Sequence, residues 1–132
     1  MITREFFYIC GMVKAKYFKD REFKLCSPSC SLQDMQQHTM DRLDHARELA
    51  GIPFVLTSAY RSKEWELKKN RTGKGAHTTG CAVDIRCNSD ATRMAIVSAC
   101  LLAGFTRIGI GKTYIHVDDD ENKTQQVMWH YY

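Results

Sequence analysis

The sequence has few of the features that mark fibrous, disordered or membrane-spanning chains. Only two of its 132 residues are proline, and it contains no internal repeat or low-complexity segment. The longest apolar run near the start, FFYICGMV, is about half the length of a bilayer span and lacks the cleavage region of a signal peptide. We therefore expect a protein made in the cytoplasm without a signal peptide, and no membrane partner.

A strong excess of charge of one sign is also missing. The 19 Lys and Arg residues oppose 15 Asp and Glu residues, and the net charge of +4 at pH 7 is spread along the chain. Nucleic-acid-binding proteins usually gather basic residues on one face, so we expect no nucleic-acid partner, although an anionic polymer such as a cell wall is compatible. The length predicts a single domain over residues 1–132, and we expect a monomer.

Cysteine is not scarce, but nothing in the sequence indicates an oxidising compartment. The six cysteines are Cys10, Cys26, Cys30, Cys81, Cys87 and Cys100. Without an export signal, we expect most of them to stay reduced. The CSPSC segment could hold a local disulfide between Cys26 and Cys30, or half of a structural zinc site completed by His38 or His45.

Hydrophobic periodicity predicts an α+β fold with a small antiparallel sheet flanked by helices. Helices are predicted over residues 31–50, from Ser62 to about Lys69, and over residues 89–104. In the last of these, we expect Met94, Val97 and Leu101 to form the buried stripe. Strands are predicted at IPFVLTSAY, CAVDIR, FTRIGIG and TYIHVD.

Two predicted strands carry ionisable side chains on one face. Strand alternation places Asp84 with Arg86 in CAVDIR, and His116 with Tyr114 and Asp118 in TYIHVD. Aliphatic residues occupy the opposite faces. An exposed strand face more often carries Thr, Lys or Glu, so histidine and aspartate here indicate a chemical role.

His77, Asp84 and His116 together offer a set of ligands suited to zinc. Two imidazoles and one carboxylate leave the fourth tetrahedral position open for water, which is typical of catalytic zinc. Spacing alone leaves two alternatives open. One is a hydrogen-bonded His/Asp pair without metal, and the other is a structural zinc bound by His77, Cys81 and Cys87.

Three segments in a fixed order resemble a known family. SAYRS, GAHTTGCAVDI and GFTRIGIGKTYIHVD resemble the zinc D-alanyl-D-alanine carboxypeptidase family, which includes phage endolysin peptidases and shares a fold group with lysostaphin and the hedgehog signalling domain. With KYFKDREFKLC and MWHYY, the resemblance covers about residues 17–131. It implies a hedgehog-like or D-Ala-D-Ala peptidase-like fold and one Zn²⁺ per chain. It also implies hydrolysis of peptide bonds in peptidoglycan stem peptides or cross-links, by a carboxypeptidase or by an endolysin endopeptidase acting at the bacterial cell wall.

The resemblance also implies roles for individual residues. The family pattern S-x-H-x-x-G-x-A-x-D-I falls on GAHTTGCAVDI, which makes His77 the first zinc ligand and Asp84 the second. His116 in YIHVD corresponds to the third ligand. Arg61 in SAYRS corresponds to the arginine that binds substrate and developing oxyanion charge.

The sequence departs from the family pattern at two positions. Gly75 replaces a serine beside the site, and Thr113 stands where several branches of the family have a glutamate or aspartate that takes a proton. We predict that Asp118 is the general base instead. The alternative role for Asp118 is to orient a ligand imidazole. Because Thr113 cannot take a proton, a catalytically inactive hedgehog-like zinc domain that binds a cell-wall ligand or a protein partner is the alternative function.

Two neighbouring segments are predicted to lie outside the site. Asp119, Asp120 and Glu121 read as a solvated turn. Trp129 and Tyr131 read as an edge strand or tail that covers the core, although an aromatic side chain there could also line a glycan or peptide groove.

Overall fold

Four α-helices and five β-strands occupy residues 11–132, which is the part of the chain that the computed structural model describes. The helices are α1 (Asp20–Lys24), α2 (Gln37–Ala50), α3 (Lys63–Lys68) and α4 (Asp90–Leu102). The strands are β1 (Leu56–Ser58), β2 (Ala82–Arg86), β3 (Arg107–Ile110), β4 (Tyr114–Asp118) and β5 (Val127–His130). These elements form one α+β domain, as predicted. Cys10 and the start of FFYICGMV lie outside the described residues.

The strands form one mixed sheet in the order β1-β2-β4-β3-β5. All neighbours are antiparallel except β3 and β5, which run parallel with Arg107 opposite Val127. The sequence predicted an antiparallel sheet. The observed sheet is mixed, because β3 and β5 are parallel. β2 and β3 already occupy both edges of β4, so β5 cannot pair with β4 and instead joins at the outer edge of β3. Because β5 reverses direction relative to β4, it runs parallel to β3.

The predicted helix over residues 31–50 is divided into two pieces. Ser31 and Asp34 form a capping box, with Ser31 N donating to Asp34 Oδ2 at 2.9 Å, but this box begins only a 3₁₀ turn. The helix α2 starts after Gln36, whose backbone N donates to Gly80 O at 3.0 Å. A Cβ at Gly80 would lie 2.4 Å from Asp34 O, so this close approach requires glycine.

The helix α4 buries a different face from the one predicted. Met94 and Leu101 are 71% and 50% exposed, whereas Ile96 and Cys100 are fully buried and Val97 is partly buried. The helix is apolar on most of its circumference, so several stripes fit the helical period equally well. Packing against α2 decides which stripe is buried.

The predicted alternation along β2 and β4 is confirmed. Val83 and Ile85 of β2 and Ile115 and Val117 of β4 belong to the hydrophobic core. The opposite face of these strands carries the ionisable residues, of which Asp84, His116 and Asp118 are buried, whereas Arg86 at the end of β2 is exposed. The sheet therefore presents a covered polar face, which contains the candidate site.

The five cysteines within residues 11–132 are buried thiols that form no disulfide with one another: Cys26, Cys30, Cys81, Cys87 and Cys100. In the same part of the chain, the helices are too short or too polar to cross a bilayer.

Candidate metal centre

Three predicted ligand side chains meet on the polar face of the sheet. His77 Nε2 lies 3.3 Å from Asp84 Oδ1, and His116 Nδ1 lies 3.0 Å from the same oxygen. The two imidazole nitrogens are 3.2 Å apart. All three residues are buried, and their potential ligand atoms are close enough to one another to hold a metal ion.

A short 3₁₀ turn, Ala76–Thr79, aims His77 at this point. Gly80 ends the turn with φ of +76°, a conformation that favours glycine. The Nδ1 of His77 lies 2.6 Å from Ala59 O, and because a carbonyl only accepts, Nδ1 must donate. In its neutral form the ring therefore presents an unprotonated Nε2 to Asp84.

Strand pairing brings the other two residues together. Asp84 on β2 and His116 on β4 are direct cross-strand partners, so their side chains leave the sheet side by side. The far nitrogen of His116, Nε2, lies 2.7 Å from Asp118 Oδ2. Asp118 Oδ1 accepts a hydrogen bond from Arg107 Nε at 2.7 Å, and the Asp118 side chain is 1% exposed. His116 Nε2 therefore donates to Asp118, and Nδ1 faces the cluster.

The protonation states of the cluster follow from these contacts. Burial opposes ionisation of Asp84, but hydrogen bonds with His116 and His77 hold its pKa well below its usual range. Burial also opposes the charged form of His116, yet its bonds to Asp118 and Asp84 raise its pKa. In the metal-free protein these hydrogen bonds need a proton on an inner ring nitrogen. When both rings are neutral, the outer nitrogens remain the donors, and the inner nitrogens and Asp84 Oδ1 converge as lone pairs. Such a cluster needs a shared proton or a cation, and its two nitrogens and one oxygen fit zinc.

Arg61 contacts the opposite oxygen of the same carboxylate. Its Nη2 donates to Asp84 Oδ2 at 3.1 Å, and its Nε donates to Ser58 Oγ at 2.9 Å. Its backbone N donates to His77 O at 3.1 Å. Arg61 therefore leaves Asp84 Oδ1 free for a metal and places its guanidinium on the wall of the adjoining cavity.

A cavity with charged and aromatic walls opens over the cluster. Besides Arg61 and the three candidate ligands, its lining includes Glu66, Arg71, Gly75, Ala76, Arg107, Tyr114, Asp118, Lys123, Trp129 and Tyr131. Thr113 is exposed and is not among the lining residues. Gly75 lies at the wall, and a Cβ there would meet only Glu66 Oε1, at 3.7 Å.

Trp129 lies in an edge strand, β5, as predicted, but it and Tyr131 also line the cavity, whereas the sequence analysis placed both residues outside the site. The indole of Trp129 lies 5.6 Å from the His116 ring, and Arg107 lies 5.1 Å above the indole. A Cβ at Gly109 would come within 2.7 Å of both aromatic side chains. The sequence did contain a signal for this position. Residues two apart in a strand share one face, so Trp129 and Tyr131 could have been expected to project together from the sheet.

The alternative structural zinc site, with His77, Cys81 and Cys87 as ligands, is not assembled in the structure. Cys81 is not gathered with His77 and Cys87, but lies in a separate group with His38 and Asp119. Within residues 11–132, Cys26 and Cys30 likewise join neither group of potential ligands.

The turn after β4 was also wrongly predicted as solvated. Asp119 and Asp120 are only 4% and 6% exposed, and Glu121 alone of the three is open to solvent. Asp119 is buried because it packs against α2, where Thr39 Oγ1 donates to Asp119 Oδ1 at 2.6 Å.

Comparison with known proteins places this site in a family. A search of curated proteins finds no match. The family model of Peptidase M15 matches residues 16–118, which include Arg61, all three candidate ligands and Asp118 but not β5. This match confirms the resemblance to the zinc D-Ala-D-Ala carboxypeptidase-like enzymes and implies a hydrolase. Because the matched segment spans most of the chain, the protein belongs to the Peptidase M15 family.

Proposed function

We propose that this protein is a zinc peptidase that hydrolyses peptide bonds in peptidoglycan stem peptides or cross-links. The observation that carries the proposal is the convergence of three buried lone-pair donors, with both histidine tautomers set by Ala59 and Asp118. In this proposal His77, Asp84 and His116 hold one Zn²⁺ per chain. Zinc, when bound, supplies a Lewis acid that polarises a peptide carbonyl and lowers the pKa of water.

Arg61 is proposed to act on the substrate. Its guanidinium lines the cavity while Ser58 and Asp84 fix two of its nitrogens, so its orientation is set before substrate binds. A positioned cation beside the scissile carbonyl stabilises the negative charge that develops on the oxygen. Arg61 also holds Asp84, because it donates to the carboxylate oxygen that faces away from the two histidines.

Asp118 has two proposed roles, and its contacts favour orientation of His116 over general-base catalysis. Both of its oxygens are engaged, Oδ2 with His116 Nε2 and Oδ1 with Arg107 Nε and the backbone N of Asp120. Moreover, Nε2 is the ring nitrogen on the side away from Asp84 and His77. Taking a proton from water in the cavity would require Asp118 to give up its bond to His116.

Among residues 11–132, Glu66 is the other carboxylate that lines the cavity outside the candidate ligand set. Its Oε2 is paired with Arg71 Nη1 at 3.0 Å, whereas Oε1 has a looser contact with Arg61 Nη1 at 3.9 Å and faces Gly75. Oε1 is therefore less committed than either oxygen of Asp118. We propose Glu66 as the alternative proton acceptor.

The walls of the cavity suit an extended peptide that carries carboxylates. Trp129 and Tyr131 offer flat apolar surfaces, and two basic residues, Lys123 and the Glu66-paired Arg71, line the same cavity. Stem peptides combine small side chains with free carboxylates, which matches this lining. The proposed place of action is the bacterial cell wall, as for a lysin, and the proposed active unit is a monomer.

One feature favours a second candidate function, a zinc domain that binds a cell-wall ligand or protein without cleaving it. Thr113 occupies the position at which several branches of the family have a carboxylate, and it lies exposed outside the cavity lining. Such a domain would hold zinc and bind peptide without turnover.

Digestion of defined peptidoglycan stem peptides, read by mass spectrometry, tests the proposal. The zinc-loaded protein should cleave them, and the His116→Ala variant should not. Release of single terminal D-alanine residues would identify a carboxypeptidase, and internal cleavage an endopeptidase. Stoichiometric zinc and peptide binding without any product would instead establish the binding domain.

A further inference from the structure

A second group of metal-ligating side chains lies outside the cavity. His38 is in the first turn of α2, Cys81 directly precedes β2, and Asp119 directly follows β4. Their potential ligand atoms all lie within 4.8 Å of one another. Cys81 and Asp119 are buried, whereas His38 is open to solvent.

The backbone holds this group in place. Ala82 and Asp118 are the last cross-strand pair at this end of β2 and β4, and the next residues outward are joined by a hydrogen bond from Asp119 N to Cys81 O at 3.2 Å. Asp118 faces the cavity, so Asp119 projects to the opposite side, where it contacts α2. The group is thus distinct from the cluster around Asp84.

We propose that His38, Cys81 and Asp119 form a second zinc site that ties α2 to the two central strands. A thiolate, an imidazole and a carboxylate are ligands that zinc accepts together, with water completing the tetrahedron. A surface groove lined by Gln36, Asp120, Glu121 and Asn122 reaches these side chains and gives an ion access to them.

The existing partners of Asp119 are compatible with a metal. His38 Nδ1 lies 2.8 Å from Asp119 Oδ2, and Arg42 Nη1 donates to the same oxygen at 3.0 Å. At the candidate metal centre an arginine likewise donates to the carboxylate, although Arg61 uses Asp84 Oδ2 while the histidines contact Oδ1. In the second group Arg42 and His38 share Asp119 Oδ2, and Oδ1 accepts from Thr39 Oγ1. An arginine on a ligating carboxylate orients it and offsets charge, as partners of metal ligands commonly do.

Cobalt substitution tests this site separately from the peptidase centre. The full chain is stripped of metal with a chelator, titrated with Co²⁺, and followed by absorption and by elemental analysis. We expect about two cobalt ions per chain and a near-ultraviolet sulfur-to-cobalt charge-transfer band. His77, Asp84 and His116 provide no sulfur, so that band can arise only at a thiol-containing site.

Single substitutions show whether the charge-transfer band arises from Cys81. Cys81→Ser and His38→Ala should each lower the content to about one cobalt per chain, and Cys81→Ser should abolish the band. Cys100→Ala, which removes a buried thiol elsewhere, should keep both ions. His116→Ala should lose the peptidase metal and keep the band, so failure of the proposed function would be seen independently.

Two results would overturn the second site. One is a wild-type protein that shows no charge-transfer band at saturating Co²⁺, and the other is a band that persists in Cys81→Ser. Circular dichroism checks that each variant is folded. Because His38 is exposed, His38→Ala removes a ligand without disturbing the core, and unchanged cobalt content in that variant would also refute the site.

Discussion

Replacement of Asp118 by asparagine separates its two proposed roles. The Asp118 side chain is 1% exposed and its two oxygens lie 2.7 Å from His116 Nε2 and Arg107 Nε. Asparagine keeps the size of the side chain but removes its charge and replaces one of the two acceptor oxygens by a donor. If Asp118 orients His116, zinc affinity should fall about 10- to 100-fold, which corresponds to roughly 1.4–2.8 kcal/mol. Added zinc should then restore most of the turnover.

The assay measures turnover of a stem peptide across a titration of buffered free zinc. Normal zinc affinity with turnover lowered about 10²- to 10⁴-fold at saturating zinc would refute the orienting role and establish Asp118 as the general base. Glu66→Gln is the matched comparison, because Glu66 lines the same cavity and contacts none of the three candidate ligands directly. If Glu66 takes the proton, Glu66→Gln should keep normal zinc affinity but lose turnover at saturating zinc. Asp118→Asn should instead bind zinc more weakly and recover most of its turnover when zinc is added.

Three further predictions concern the same face of the sheet. Arg61→Ala should lower kcat/KM about 10²- to 10³-fold through loss of charge stabilisation, with partial rescue by Arg61→Lys; near-normal peptide turnover in Arg61→Ala would remove the residue from the mechanism. Burial disfavours protonation of His116, but hydrogen bonds to Asp118 and Asp84 outweigh it and raise its pKa in the metal-free protein. Protonated His116 therefore stabilises the metal-free fold below its unfolded pKa of about 6.5, and this contribution is lost as pH rises through the raised pKa. Zinc must displace that proton, so calorimetry should show zinc affinity increasing with pH and proton release on binding, and a pH-independent affinity would contradict this. Gly109→Ala should displace the aromatic wall and cost about 1–3 kcal/mol of unfolding free energy, as measured by denaturant titration with tryptophan fluorescence. Gly75→Ala is the control, because a Cβ there would lie 3.7 Å from Glu66 Oε1, an ordinary van der Waals distance. Equal stability of the two variants would refute the steric argument.

The convergence of the three candidate ligands could be predicted because it depends on short-range rules. Strand alternation places Asp84 and His116 on polar faces, and a glycine-bounded turn just before β2 presents His77. What spacing could not supply was the pairing of β2 with β4, which puts Asp84 opposite His116. The resemblance to a known family supplied that link.

The features that were predicted wrongly depend on contacts between distant segments. Trp129 enters the cavity because β5 finds the free edge of β3 next to Gly109, and neither the edge nor the parallel direction is encoded near Trp129. Asp119 is buried because α2 supplies Thr39 and Arg42, about 80 residues earlier in the chain. An acidic run looks solvated until such partners are known.

The direct pairing of Asp84 with His116 has a consequence for the order of folding events. These two partners are 32 residues apart in the chain, and the segment between them contains all of α4 and β3. Bringing Asp84 and His116 together closes this long loop and costs conformational entropy, which local contacts do not offset. Long-range strand pairing is therefore slow relative to helix formation. The complete ligand set therefore exists only after the central strands have docked, and the rate of zinc uptake during refolding should follow that docking step rather than the earlier appearance of helix.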